Sequence, residues 1–213
     1  YDEAVEKGLI IILGKELDDE YNNNLLKMAI NDDIDKDIKI VYTPLNGTGN
    51  KPVRRILKDR GFTNIIVVPE QENPDPDFTT VGYPNPEDTK AFEYAARLGA
   101  RKDAEILIET DPDCDRVALA VKEGEVYRYL NGNQTGALLI NYILTSRNKK
   151  NDLPKKAAIV KSIVTGDLGK VIAEKYGVKM FETLTGFKHI CAKANEWENT
   201  NEYEFIFGYE ESI

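Results

Sequence analysis

Short apolar runs alternate along this chain with segments whose apolar residues fall three and four positions apart. Switching between strand and helix periodicity in this way is the mark of an α/β fold. Residues 38–42 (Ile-Lys-Ile-Val-Tyr) predict a strand, 51–60 a helix, 64–68 a strand, 88–99 a helix and 104–109 a strand. Residues 117–121 and 125–129 predict a hairpin joined through Glu123-Gly124, which closes a first domain. Asn131-Gly132-Asn133 starts helix 133–146, and a polar run from Ser146 to Pro154 separates it from strand 157–163. Helix 167–176, strand 178–181, helix 187–198 and strand 203–207 make a second α/β round. The expectation is two domains, 1–130 and 131–213.

The two ends read differently. Residues 1–30 hold an apolar run, Leu9 to Leu13, and a helix from about 18 to 30, without a clear opening domain. Gly208 to Ile213 is a turn-like polar segment straight after a buried-looking strand. Both features lead us to expect a fragment of a longer polypeptide, with its second domain truncated.

Composition narrows the function classes. A 213-residue chain that is 41% hydrophobic can fill real cores. Its net charge of -9 sets nucleic acid against the overall field, and no Lys/Arg block offers a local exception. No apolar stretch approaches the roughly 18 residues of a membrane span, and the N-terminus lacks a basic region followed by an apolar one. The expectation is a cytoplasmic protein with neither membrane nor nucleic acid as partner. Cys114 and Cys191 read as free thiols in a reducing compartment, Cys114 as a small residue in a tight loop.

Residues 110–116, Thr-Asp-Pro-Asp-Cys-Asp-Arg, carry the sharpest chemistry. In extended backbone, side chains two apart share a side, so Asp111, Asp113 and Asp115 can converge beyond a strand end. Three mutually repelling carboxylates call for a cation, and an all-oxygen set suits a hard ion such as Mg2+, the bland alternative being a solvated turn or helix-capping cluster. A calcium EF-hand matches these three positions but fails further on, where its sixth position is Arg116 and its twelfth is Lys122. Arg116 serves equally as charge compensation or as a phosphate contact.

Other candidates are weaker on physics alone. Gly47-Thr48-Gly49 precedes a helix and could cradle a phosphate, although glycines in a strand-to-helix turn need no ligand. Lys188, in Thr185-Gly186-Phe187-Lys188-His189, could face a cleft at a strand's carboxyl end, with a surface lysine the plainer reading. His189, the one histidine, is as readily a packed or capping residue. Glu210 and Ser212 are two apart and could offer an acceptor and a hydroxyl to a polyol, with Glu211 pointing elsewhere; an ordinary polar turn explains them equally simply.

Taken together, TDPDCDR, TGFKHI and GYEES resemble motifs of the α-D-phosphohexomutase superfamily, the phosphoglucomutases and phosphomannomutases. YTPLNGTG and Tyr83-Pro84-Asn85-Pro86-Glu87 look like further landmarks of its second domain. The resemblance implies two consecutive α/β/α domains with mixed sheets, corresponding to the second and most of the third of four family domains. It implies Asp111, Asp113 and Asp115 as Mg2+ ligands, with a phosphoserine from the missing first domain supplying another oxygen. It implies Arg116 at the phosphoryl group, Lys188 as a phosphosugar contact or proton-transfer partner, and Glu210 and Ser212 on sugar hydroxyls. The implied reaction interconverts hexose 1-phosphate and hexose 6-phosphate through a bisphosphate intermediate. The missing domains would be partners, and this chain alone would be inactive with weak metal affinity. A phosphopentomutase of the same superfamily and a non-catalytic cation- or nucleotide-binding module are the alternative expectations.

Overall fold

The structure, a computed structural model, describes residues 1–211. Helices α1 (Asp2–Glu6) and α2 (Lys15–Lys27) come first, then β1 (Ile40–Thr43), α3 (Asn50–Asp59), β2 (Ile65–Val67), a 3-10 turn at Pro69–Gln71 and α4 (Glu93–Lys102). Strands β3 (Ile106–Thr110), β4 (Val117–Glu123) and β5 (Val126–Leu130) follow. Helix α5 (Gly132–Lys149) leads into β6 (Ala157–Ser162), α6 (Leu168–Glu174), β7 (Lys179–Thr183), α7 (Phe187–Thr200) and β8 (Glu204–Tyr209).

The first sheet runs β2-β1-β3-β4-β5, with β1 parallel to β2 and β3 and the rest antiparallel. It is mixed, as expected, because helical crossovers return the chain to the same end among β1, β2 and β3 while the β3–β4 and β4–β5 turns each reverse it. The second sheet departs from the expectation: β7-β6-β8 is entirely parallel among the described residues. Strands β6 and β7 are each followed by a helix, α6 and α7 respectively, that carries the chain back before the next strand, and no hairpin intervenes. Strands β1 and β6 are buried on both faces, which explains their nearly unbroken apolar sequences.

The cores are separate. Val41, Leu107, Ala118 and Ala120 of the first sheet pack against Phe92, Ala95 and Leu98 around α4. In the second unit Ile159 and Tyr209 meet Ile140, Leu144 and Ala173 on one face, while Val160, Ile190 and Trp197 fill the other. Tyr209 nests against α5 and α6 because both offer a glycine. A Cβ on Gly136 or Gly169 would lie 2.4 Å from its ring or hydroxyl.

The helix expected at 88–99 begins later, at Glu93. The carboxamide of Asn85 and the carboxylate of Asp88 accept the amides of Glu87 and Lys90, at 3.1 and 2.9 Å, and these local turns displace helical hydrogen bonds. The run Leu9–Leu13 forms neither strand nor helix, and Leu9 and Ile11 are 78% and 79% exposed.

Candidate active site

The acidic loop is the turn between antiparallel neighbours β3 and β4, whose last pair is Thr110 with Val117. Its backbone is curled rather than extended. The Cys114 amide donates to the Asp111 carbonyl at 3.0 Å, and Cys114 adopts φ +65°, so the three carboxylates converge through a turn instead of through strand alternation. One oxygen from each of Asp111, Asp113 and Asp115 lies within 4.8 Å of the others. Asp111 is buried, whereas Asp113 and Asp115 face solvent.

Arg116 organises this acidic group. Its amide and Nε donate to the two carboxylate oxygens of Asp111, each at 2.9 Å, and its Nη1 donates to Asn85 Oδ1 at 3.0 Å. Burial would raise the Asp111 pKa, but the hydrogen bonds from the Arg116 amide and side chain and the guanidinium charge hold it below its ordinary value. Asp115 moves the other way, raised by burial and then by the charges of Asp111 and Asp113. Crowded oxygen donors with one partner cation among them fit a hard divalent ion such as Mg2+. Cys114 is a free thiol whose pKa burial raises, which ill suits it as a ligand.

Gly47-Thr48-Gly49 braces that loop. The Thr48 amide and hydroxyl both donate to the Pro112 carbonyl, at 2.8 and 3.2 Å, so the amide is occupied and unavailable to a phosphate. A Cβ on Gly47 would fall 2.4 Å from Pro112 Cα, and one on Gly49 would fall 2.8 Å from Cys114 Sγ and Thr110 Oγ1. These glycines serve close approach of two backbones, the plainer of their two readings.

The polar turn after β8 is tied inward. Glu210 accepts the Gly186 amide at 2.7 Å, and Glu211 accepts from the Asn133 side chain while its own amide donates to Thr165 Oγ1 at 3.0 Å. Glu210 and Glu211 thus diverge, as expected from their spacing, and Ser212 lies outside the described residues. Lys188 is exposed on the first turn of α7, beside Gly186 and Phe187, with no ion-pair partner among the described residues. His189 follows it, half-buried on the same helix.

A cleft of about 920 Å³ brings the two loops together: Asp115 and Arg116 line one side, and Gly186, Glu210 and Glu211 the other. Phe92, Tyr129 and Phe207 contribute apolar wall, and Glu87 enters from the turn before α4. Partial burial and the charge of Glu211 raise the Glu87 pKa, against the pull of Arg116. Lys188 is not among the lining residues. A smaller cavity, bounded by Glu70, Tyr94, Arg97 and Arg101, shares no residue with this cleft.

Four contributors were given no individual role by the sequence, although two of them fall in the Tyr83–Glu87 segment noted above as a family landmark. Asn85 and Glu87 lie in the Tyr-Pro-Asn-Pro-Glu segment, where the Asn-Pro step was the available signal. Asn133 and Thr165 act through contacts 78 and 46 residues away, which no local pattern announces.

Comparison with known proteins bears on the same two units. Residues 19–124 match the family model described as phosphoglucomutase/phosphomannomutase, alpha/beta/alpha domain II, and residues 131–213 match that of domain III. The chain is 37% identical over 212 residues to a phosphoglucomutase of Staphylococcus haemolyticus, covering 99% of this chain and 37% of the relative. It therefore spans little more than a third of the length of the curated relatives it matches. A phosphoglucomutase/phosphomannomutase family protein of Burkholderia thailandensis superposes with TM-score 0.65 at 20% identity, over 84% of this chain and 36% of that one. An Aspergillus fumigatus N-acetylphosphoglucosamine mutase in complex with glucose 1,6-bisphosphate gives 0.56 at 16% identity, over 87% and 34%. At these identities the structural likeness speaks to fold alone.

Proposed function

The chain belongs to the phosphoglucomutase/phosphomannomutase family, and from that premise we propose that it supplies the metal-binding and sugar-binding sides of a phosphohexomutase site. The observation that carries this reading is the shared cleft: Asp115 and Arg116 of one loop and Glu210 of the other line the same cavity. The reaction is reversible phosphoryl transfer between the C1 and C6 oxygens of a hexose. A phosphoserine O–P bond breaks as a sugar O–P bond forms, and the proton of the sugar hydroxyl passes to the serine oxygen that is released. The bisphosphate then turns round, and its other phosphoryl group returns to the serine.

Asp111, Asp113 and Asp115 would hold Mg2+, which supplies charge stabilisation to the moving phosphoryl group. Arg116, already fixed by Asp111 and Asn85, presents a guanidinium that stays cationic at any working pH. Glu210 accepts a sugar hydroxyl with the oxygen that Gly186 leaves free. Ser212 is proposed as the second hydroxyl contact, and Lys188 as a phosphosugar contact or proton-transfer partner reached when ligand is bound. A short loop with few contacts suits a sugar that must bind in two orientations. The phosphoserine is proposed to come from a part of the longer protein outside these two domains, and the setting is proposed to be the cytoplasm. No helix among the described residues is long and apolar enough to cross a membrane.

The test is calorimetric titration in Mg2+ with glucose 1,6-bisphosphate, mannose 1,6-bisphosphate and ribose 1,5-bisphosphate. Binding of a hexose bisphosphate at least roughly tenfold tighter than the ribose compound is expected, about 1.4 kcal/mol of discrimination. Preference for ribose would move the assignment to a phosphopentomutase. Turnover of glucose 1-phosphate by this chain alone would contradict the proposed division of labour.

A further inference from the structure

The turn that carries Glu210 is held by groups that do not belong to it. Asn133, near the start of α5, accepts the Gly166 amide on Oδ1 at 2.6 Å and donates from Nδ2 to the Glu211 carboxylate. The Glu211 amide donates to Thr165 Oγ1 at 3.0 Å, and that hydroxyl is also bonded to Ser162 Oγ at 2.8 Å. The Thr165 carbonyl accepts the buried Lys161 ammonium at 2.6 Å, so the 162–166 turn is itself anchored to the central strand β6. Close approach is built in: a Cβ on Gly166 would lie 3.0 Å from Asn133 Oδ1, and one on Gly132 would lie 3.1 Å from Glu211 Cγ.

We propose that Asn133 and Glu211 form a clasp that positions the sugar loop, making Glu211 a positioning residue whose partner sits where the chain passes from one sheet to the other. The inference rests on the reading of Glu210 as a sugar contact. Its physical basis is ordering. An exposed polar turn left to itself samples many backbone states, and a ligand that must freeze it binds more weakly by that entropy. Here the backbone of Glu211 and its side chain are each fixed by a hydrogen bond to a different segment, so Glu210 projects from a turn that is already set. The first turn of α5, an 18-residue helix, adds a favourable site for the Glu211 charge. Glu211 is occupied by this role and leaves the hydroxyl contact to its neighbour.

A donor–acceptor exchange tests this. Asn133→Asp keeps an oxygen for the Gly166 amide but sets two carboxylates against each other, and adding Glu211→Gln restores a single N–H···O bond with donor and acceptor exchanged. Glucose 1,6-bisphosphate affinity, Mg2+ affinity and amide exchange of the 208–211 segment are measured on the 213-residue chain. We expect Asn133→Asp to weaken bisphosphate binding and to speed Glu211 amide exchange, each by roughly tenfold. Mg2+ affinity should stay unchanged, and the double variant should recover both losses. Thr165→Val should reproduce the loss and Thr165→Ser should not. Unchanged exchange in Asn133→Asp, or a double variant as impaired as the single, overturns the clasp. If the unsubstituted chain takes up no bisphosphate, the functional reading fails, and the exchange rates still decide the clasp.

Discussion

The acidic loop and the turn after β8, proposed above as the metal loop and the sugar loop, face one cleft but are built in different ways. Asp111, Asp113 and Asp115 come from five consecutive residues, and the turn that gathers them closes on itself through Cys114 and Arg116. The sugar loop takes its shape from Gly186, Thr165 and Asn133, which lie 24, 46 and 78 residues away. The acidic turn closes chiefly through its own residues, with Thr48 and Asn85 bracing it from outside at Pro112 and Arg116, whereas the sugar loop is set only once the second sheet and α5 have packed. The first is therefore sensitive to what presses on it, and the second to what ties it down.

Substitutions can break or sharpen this contrast. The largest effect is expected at Glu109, buried in β3 with neither carboxylate oxygen hydrogen-bonded. Burial and the charge of Asp88 push its pKa from 4.5 up to about 9. The folded state therefore holds this proton more tightly than the unfolded chain does, so stability falls as pH rises from the ordinary carboxyl value toward about 9 and is flat outside that window. Glu109→Gln should raise stability by about 3 kcal/mol at pH 7 and flatten the pH dependence of thermal melts. Because the two cores are separate, local amide exchange at Glu211 should not change.

Next comes Gly47→Ala, whose Cβ would meet the Pro112 backbone at 2.4 Å. A cost of about 2 kcal/mol is expected from the clash, with weaker Mg2+ binding and an unaltered sugar loop, readable by urea unfolding and calorimetry. Asp113→Asn should lower Mg2+ affinity by roughly tenfold or more while changing stability by less than about 0.5 kcal/mol, since the side chain is exposed. A change in melting temperature comparable to that of Gly47→Ala would show that Asp113 serves the fold instead. The smallest effect is expected for Glu210→Gln, which keeps an acceptor for Gly186. Bisphosphate affinity should fall about fivefold, near 1 kcal/mol, with Mg2+ affinity untouched.

Legibility in the sequence follows the same divide. Strands such as 38–42 and 157–163, expected from continuous apolar runs, appear as Ile40–Thr43 and Ala157–Ser162, because burial on both faces writes itself into composition. The acidic loop was legible because its carboxylates are neighbours, although the route to convergence was not: Cys114 in a left-handed conformation bends what alternation alone would leave extended. The order of the strands and the parallel second sheet were not legible, since pairing depends on crossovers rather than on any strand's own residues. Asn133 and Thr165 escaped for a related reason, because each is an ordinary helix-start or turn residue until distant segments fold against it.

The central claim is that the two loops serve one ligand in one cleft, which makes Mg2+ and sugar bisphosphate reciprocally linked. The direct measurement is glucose 1,6-bisphosphate affinity with and without Mg2+, in the unsubstituted chain and in Asp113→Asn. The account predicts that Mg2+ tightens binding by roughly tenfold, a coupling of about 1.4 kcal/mol, and that Asp113→Asn removes the gain. An affinity indifferent to Mg2+, or a gain that survives Asp113→Asn, would contradict it.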